Sequence, residues 1–168
     1  MQREIDNPRT GERIVIRKSG ADTGGELLEF DLYLQPGGHV PARHLHPRQE
    51  ERFTILDGTL RFRVAGRTTV ARPGDVLIVP SATAHWFGNC GKTPAHVRVE
   101  VRPAMRMQEL FESTVERSLT SPNWFSRLAG TALILLDFQS EVGVPNVPAI
   151  AITWLLTPLA WLRLRFAR

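Results

Sequence analysis

The first hundred or so residues predict an all-β barrel or sandwich, and the residues after Pro103 predict helices. Between Ile5 and Arg102, short apolar runs of strand length alternate with turns that contain glycine, proline or asparagine. This spacing is typical of all-β domains. We therefore predict a β-barrel domain over residues 1–103 and a helical C-terminal extension over residues 104–168, packed on the barrel or on a partner.

Individual runs support the strands. Residues 60–64 and 97–101 alternate apolar with charged side chains, residues 27–34 alternate in part, and residues 76–79 form a short continuous apolar run. Alternation with a period of two indicates a strand with one buried face. Each run is too short for an ordinary helix, so the β interpretation is favoured.

Beyond Pro103 the apolar residues follow a helical period. They recur at steps of three or four with charged residues between them, at Met107, Leu110, Phe111, Val115 and Leu119. This pattern predicts an amphipathic helix. A second helix is expected to open at Ser121-Pro122, a cap followed by proline at the first helical position, and to end near Glu141.

The last segment, residues 149–168, is mostly apolar, is interrupted by Pro158 and ends with Arg163, Arg165 and Arg168. Its apolar part, about fourteen residues, is shorter than the roughly twenty that a membrane-spanning helix needs. Two interpretations remain. The segment packs on its own barrel or on a partner subunit, or it makes peripheral contact with a membrane, its arginines on anionic lipid.

Charge and cysteine content exclude some classes of function. The net charge is +4, but the arginines are scattered, so nucleic acid is not an expected partner. The single cysteine, Cys90, rules out an internal disulfide framework. The polar N-terminus lacks the apolar core of a secretory signal, so we expect a cytoplasmic protein, or one at the membrane periphery.

Candidate metal ligands cluster in residues 38–51. His44 and His46 are two apart, so on a strand both imidazoles point to one face. Glu51 lies at an odd offset beyond Pro47, and a turn must bring it back. Alternate histidines can also be merely solvated, so this pair alone leaves the role open. A third histidine, His85, follows a second glycine-to-proline stretch.

These residues resemble the two motifs of the cupin family. The first motif is matched by Gly38, His44, His46, Glu51 and Gly58, and the second by Gly74, Pro80, His85 and Asn89. Glu51 fits better than Glu50, because it leaves the six residues that the motif requires before Gly58. Ala82 stands where the family usually has glycine, and alanine tolerates positive φ poorly, so the local turn is expected to differ slightly.

The resemblance covers roughly residues 25–102 and implies a double-stranded β-helix, or jelly-roll, barrel. It further implies that His44, His46, Glu51 and His85 bind one divalent metal ion: Fe, Mn, Ni, Zn or Cu. Homodimers are common in the family and expected here.

The implied metal suggests a metal-dependent enzyme acting on a small organic molecule. An oxygenase or other oxidoreductase is favoured, the alternatives being a non-redox isomerase, lyase or cyclase, or a binding module that senses a small molecule without turnover. Fold alone does not choose between them. The residues expected to line the substrate pocket, each with core packing as its alternative, are Tyr33, Phe53, Ile55, Phe62 and Phe87.

Overall fold

The computed structural model describes residues 3–40, 42–121 and 123–166. Its strands are β1 Glu4–Asn7, β2 Glu12–Lys18, β3 Leu28–Leu34, β4 Glu50–Asp57, β5 Leu60–Val64, β6 Arg67–Ala71, β7 Val76–Val79, β8 His85–Asn89 and β9 Ala95–Arg102. A short 3-10 helix, Ala21–Thr23, precedes β3. The helices α1 Met107–Thr120, α2 Trp124–Asp137 and α3 Ala149–Phe166 follow. The predicted fold class, a β-barrel followed by helices, is confirmed.

The strands form two antiparallel sheets with a shared apolar core. One sheet has the order β1-β2-β3-β9-β4-β7 and the other the order β6-β5-β8. The residues of β3 show which face of the larger sheet is which. The odd-numbered residues lie on the outer face. The even-numbered residues are buried in the core, namely Leu28, Phe30, Leu32 and Leu34. The sequence alternation therefore corresponds to a real inner and outer face.

The described residues of the 38–46 segment, 38–40 and 42–46, belong to no named strand and extend the smaller sheet. His39 forms an isolated antiparallel bridge with Gly88 in β8, and His44 forms another with His85. On its other side, Leu45 bridges to Gly143, which lies in the connection between α2 and α3. We call that connection, residues 138–148, the α2–α3 linker. The 38–46 segment is thus held between β8 and this linker.

The start of α2 differs from the prediction. Asn123, rather than Ser121, caps the helix: its Oδ1 accepts a hydrogen bond from the Ser126 amide at 2.8 Å, and the Ser126 hydroxyl contacts the Asn123 amide at 3.2 Å. This reciprocal capping box satisfies two amide groups at the helix start, which explains why the helix opens at Trp124. Pro122 lies outside the described residues.

Helix α3 continues through Pro158 and packs along α2, with Ile152 buried. Within the described part of the chain, none of the helices combines the length and the apolarity needed to cross a bilayer.

The outer face of the larger sheet carries a charged network centred on Asp31. The fully buried carboxylate accepts hydrogen bonds from Arg17 Nε and Arg98 Nε, both at 2.6 Å, and lies 3.4 Å from His96 Nε2. Burial alone would raise the pKa of Asp31, but the two arginines outweigh it and hold that pKa below its ordinary value of 3.8.

This network predicts acid sensitivity. Unfolding restores the ordinary pKa of Asp31, so the unfolded chain takes up the proton first as the pH falls. The stabilising contribution of Asp31 is therefore present above about pH 4 and is lost as the pH drops towards the lower folded-state pKa. Thermal melts from pH 6 to 2.5 measure this loss. In Asp31→Asn, the melting temperature should fall less steeply below about pH 4 than it does in the wild type. Asp6→Asn, the same charge change at an exposed position, should leave the slope unaltered; equal profiles for the two variants would contradict the assignment.

Candidate metal centre

Three histidines converge inside the barrel. One ring nitrogen from each of His44, His46 and His85 lies within 4.8 Å of the corresponding nitrogens of the other two. His44 and His46 come from the 38–46 segment, and His85 opens the neighbouring strand β8. The bridge between His44 and His85 sets this proximity, with amide-to-carbonyl distances of 3.0 and 2.8 Å. A group of this geometry can hold a metal ion.

Glu51 reaches the same cluster from the opposite sheet. Its Oε1 lies 3.4 Å from His46 Nε2 and its Oε2 lies 2.9 Å from His85 Nε2, and all three side chains are buried. Glu51 belongs to β4 and points inward, whereas its neighbour Glu50 is exposed. The structure therefore places Glu51, not Glu50, beside the histidines.

Backbone carbonyls determine which nitrogen of each ring faces the centre. His44 Nδ1 lies 2.9 Å from the Ala42 carbonyl, His85 Nδ1 lies 3.1 Å from the Thr83 carbonyl, and His46 Nδ1 lies 2.5 Å from the Glu141 carbonyl. A carbonyl oxygen can only accept, so each Nδ1 carries the hydrogen. In the neutral imidazole, Nε2 then presents a lone pair.

The arrangement suits a cation. Among the described residues, the buried Nε2 atoms of His46 and His85 and the Glu51 Oε2 atom have no hydrogen-bond partner. In the neutral tautomers these atoms are all acceptors that face one another, which is unfavourable in a buried site. A divalent ion between them satisfies every lone pair at once, so the residues fit the metal that the sequence resemblance implies.

The protonation states of His44 and Glu51 agree with this. Burial, together with the neighbouring His46 and His85, lowers the pKa of His44 to about 4. Burial alone would raise the pKa of Glu51, but the two histidines outweigh it and hold that pKa far below its usual range. Burial alone would lower the pKa of His46, but the Glu51 carboxylate raises it above its ordinary value. At neutral pH, His44 is thus neutral and Glu51 ionised, the forms that bind metals.

Ala82 adopts the conformation that glycine normally provides. Its φ is +57°, in the left-handed region, and its amide donates a 2.7 Å hydrogen bond to the His46 carbonyl. The turn therefore keeps the conformation expected for glycine. The predicted local difference is not seen, because Ala82 itself adopts the positive φ. This hydrogen bond connects the turn that precedes His85 to the 38–46 segment.

Ala82→Gly should therefore stabilise the protein by about 0.5–1 kcal/mol. It relieves the left-handed strain on alanine, about 1–2 kcal/mol, against the larger entropy of glycine in the unfolded chain. Urea unfolding measures the difference. Ala84→Gly, in the same turn but not at positive φ, should cost about 0.5–1 kcal/mol; a loss of stability in both variants would contradict this account.

The aromatic residues expected to line a pocket lie in the core. Phe53, Ile55 and Phe62 are at most 1% exposed and Phe87 is 6% exposed. The rings of Phe53, Phe62 and Phe87 contact one another with centroids 5.1–5.5 Å apart. These four residues pack as barrel core, the alternative that the sequence left open.

Tyr33 requires a correction. It is an odd-numbered residue of β3, and its ring lies on the outer face of the sheet, stacked on His96 at 4.4 Å with the Arg13 guanidinium 4.3 Å above it. Strand alternation separates it from the barrel interior, so it does not line the histidine cluster.

The sequence did not indicate the role of the Glu141 carbonyl. A backbone acceptor has no residue signature, and Glu141 lies 95 residues from His46. Only the path of the α2–α3 linker brings the two together.

The fold is a jelly-roll barrel, and its interior holds a group of three histidines that could bind a metal ion. Comparison with known proteins finds one family match: residues 30–101 match the cupin domain. The match spans most of the barrel, from β3 to β9.

Its relatives include plant germin-like proteins. The chain is 32% identical over 107 residues to germin-like protein 1 of Brassica napus, which covers 56% of this chain and 50% of that protein. It is 33% identical over 92 residues to germin-like protein subfamily 1 member 4 of Arabidopsis thaliana, covering 49% of this chain and 40% of that protein. The chain thus spans half or less of the length of these relatives.

Solved structures share the fold. KdgF from Halomonas sp. aligns with a TM-score of 0.53 and 17% identity, over 60% of this chain and 86% of that one. A predicted oxalate decarboxylase from Thermotoga maritima aligns with a TM-score of 0.52 and 22% identity, over 61% and 92%. At these identities the likeness establishes the fold alone.

Proposed function

We propose that this protein is a metal-dependent enzyme that acts on a small organic molecule. One divalent ion would be held by the Nε2 atoms of His44, His46 and His85 and by the Glu51 carboxylate. The observation that carries the proposal is the buried convergence of three imidazoles and a carboxylate with acceptor atoms facing one another. Three imidazoles and one carboxylate suit Fe, Mn, Ni, Cu or Zn.

The chain's own residues define how a substrate reaches the site. His46 and His85 are buried, whereas His44 is only half-buried, so the accessible side of the cluster is the side of His44. When bound, the ion would supply Lewis-acid or redox chemistry to a substrate there. Glu51 is held on the inner side by His46 and His85, and its negative charge offsets part of the ion's charge. The backbone carbonyls keep each imidazole in one tautomer and orientation.

Within this class we favour an oxygenase or related oxidoreductase. A site with four protein ligands leaves one or two positions for small molecules on a five- or six-coordinate ion, as oxygen-dependent chemistry requires.

The test is oxygen uptake by protein loaded separately with Fe(II), Mn(II) or Ni(II), with catechol as a chelating organic probe. Consumption by at least one form, and its loss in His44→Ala, is the expected result. Protein that binds only zinc would rule out the oxygenase.

A non-redox lyase is the second candidate, because one comparison favours it. The chain is 26% identical, with a TM-score of 0.51, to an oxalate decarboxylase, over 61% of this chain and 28% of that one. Oxalate is therefore the second probe. Oxalate turnover that is unchanged under strict anaerobiosis would support this alternative over the oxygenase.

A further inference from the structure

The α2–α3 linker completes the edge of the smaller sheet beside His46. The Leu45 amide donates to the Gly143 carbonyl at 3.1 Å, and the Gly143 amide donates to the Leu45 carbonyl at 2.9 Å. The linker thereby acts as an added strand along the segment that carries His44 and His46. The helical extension lies outside the cupin match at residues 30–101. It is therefore hydrogen-bonded to the segment that carries two candidate ligands, His44 and His46.

Glu141 is anchored on several sides. Its amide donates to the Phe138 carbonyl at 3.0 Å, and its buried side chain accepts from the Arg106 amide at the start of α1 at 3.4 Å. Its carbonyl accepts from His46 Nδ1. The position of this carbonyl is therefore fixed by the docking of the helices together with the Leu45–Gly143 bridge.

The three histidines differ in how they are oriented. His44 and His85 each use a carbonyl two residues before themselves, so their orientation is set within the barrel. His46 alone of the three uses a carbonyl from the extension. Loss of that contact would free the His46 ring to rotate and would remove the acceptor that keeps hydrogen on Nδ1.

We propose that the α2–α3 linker is part of the metal centre: the Glu141 carbonyl holds His46 with Nε2 facing the ion, so docking of the helical extension sets the metal affinity. This inference rests on the proposed metal binding. Partners that orient a metal-bound histidine typically contribute a factor of 10–100 in affinity. Glu141 is a positioning residue through its backbone, and it need not touch the substrate.

The test compares two full-length linker variants. Gly143→Pro removes the amide that donates to Leu45, whereas Asn146→Gly changes an exposed residue of the same linker, at φ +66°, where glycine preserves the backbone. Competition with a chelator measures the Kd for Zn(II), used as a diamagnetic probe. We expect a Kd raised about 10–100-fold in Gly143→Pro and changed less than about threefold in Asn146→Gly.

A Gly143→Pro variant that melts normally in EDTA and binds zinc as tightly as wild type would overturn the inference. Wild type that binds no metal would instead overturn the proposed function, so the two failures are distinguishable. Nitrogen-15 NMR of the zinc-loaded wild type gives a readout that needs no variant. His46 should carry its hydrogen on Nδ1 and exchange it more slowly than His44; zinc on His46 Nδ1, or equal exchange, would contradict the linker's role.

The first part of helix α3 carries exposed apolar side chains. Ile152 is buried against the rest of the protein, but Ile150, Trp154 and Leu155 are 68%, 78% and 68% exposed. A helix that is apolar on all sides needs cover on all sides, and the described part of the chain covers only one.

The charge of this segment indicates whether a second copy of the chain or an anionic membrane surface covers the exposed face of α3. Residues 149–168 contain no Asp or Glu and end with three arginines, at positions 163, 165 and 168. Two copies packed through this segment would bring like charges together, whereas an anionic lipid surface complements both the apolar side chains and the arginines. We propose that α3 docks on an anionic membrane surface, with Trp154 at the depth of the headgroups.

Flotation with vesicles tests this second proposal. Full-length protein should float with phosphatidylcholine vesicles that contain about one-third phosphatidylglycerol and less with phosphatidylcholine alone, because each arginine near an anionic surface contributes to binding. Trp154→Ser/Leu155→Ser should reduce flotation at least about tenfold. Val76→Ser/Ile78→Ser, which alters two exposed apolar residues of the barrel, should not.

Equal flotation of the two double variants, or no flotation of wild type, would overturn the proposal. So would a wild-type dimer that the α3 variant converts to a monomer in sedimentation, because a second copy would then cover the face.

Discussion

Replacing His85 by alanine is expected to abolish metal binding. His85 is fully buried, and its Nε2 lies 2.9 Å from Glu51 Oε2, so it links the two sheets at the centre of the cluster. Its loss removes one of the three imidazoles and one of the two contacts that hold Glu51 ionised. We expect the Kd for the bound ion to rise more than about 100-fold, beyond the cost of losing a supporting partner alone. Elemental analysis of purified protein and chelator competition measure the effect.

His39→Ala is the matched control. His39 also lies in the 38–46 segment and bridges to β8, but it is exposed and lies outside the group of three histidines. It should retain the wild-type metal content. His85→Gln keeps a polar side chain of similar volume and should lose the ion as His85→Ala does. If either His85 variant bound one equivalent with wild-type affinity, the proposed ligand set would be wrong.

Replacing Phe53 by alanine is expected to destabilise the protein by about 3–5 kcal/mol. The ring is 1% exposed and packs against both Phe62 and Phe87, so its removal leaves a cavity in the barrel. Phe53 is two residues from Glu51 and shares its inward face, so contact with a substrate is the alternative role that the experiment must separate from packing. Urea unfolding in EDTA measures the stability, and metal competition on the folded variant separates packing from a role at the site.

Leu56→Ala provides the control on the same strand. Leu56 is 43% exposed, so its truncation should change stability by less than about 0.5 kcal/mol. For Phe53→Ala we expect the metal Kd to stay within a few-fold of wild type. A cost below about 1 kcal/mol would show that the ring is not core packing, and a tenfold weaker metal affinity would show that it supports the site directly.

Much of the barrel could be predicted because its signals are local. Alternation in β5 and β9 specifies buried and exposed faces residue by residue, and glycine-containing turns such as Asp57-Gly58 separate the strands. The spacing of His44 and His46 specified a shared face in the same way. The proximity of Glu51 and His85 depended on the family motifs, because a turn and a cross-sheet approach carry no periodicity.

Other features depend on contacts that the sequence does not display. Tyr33 was placed in the pocket although its odd position in β3 puts it on the outer face. The start of α2 depends on the reciprocal bonds of Asn123 and Ser126, which outcompete the Ser121-Pro122 signal. The Glu141 carbonyl is a backbone group brought to His46 by the fold of the extension. In each case the deciding partner is distant in sequence or is not identified by residue type.

We expect one divalent ion to bind inside the barrel between the two sheets. Anomalous diffraction from crystals soaked in Mn(II) or Zn(II), recorded at the absorption edge of the metal, tests it most directly. One strong peak is expected about 2.0–2.2 Å from the Nε2 atoms of His44, His46 and His85 and from a Glu51 oxygen. A peak bound through Nδ1, a peak elsewhere on the protein, or no peak at this cluster would contradict it.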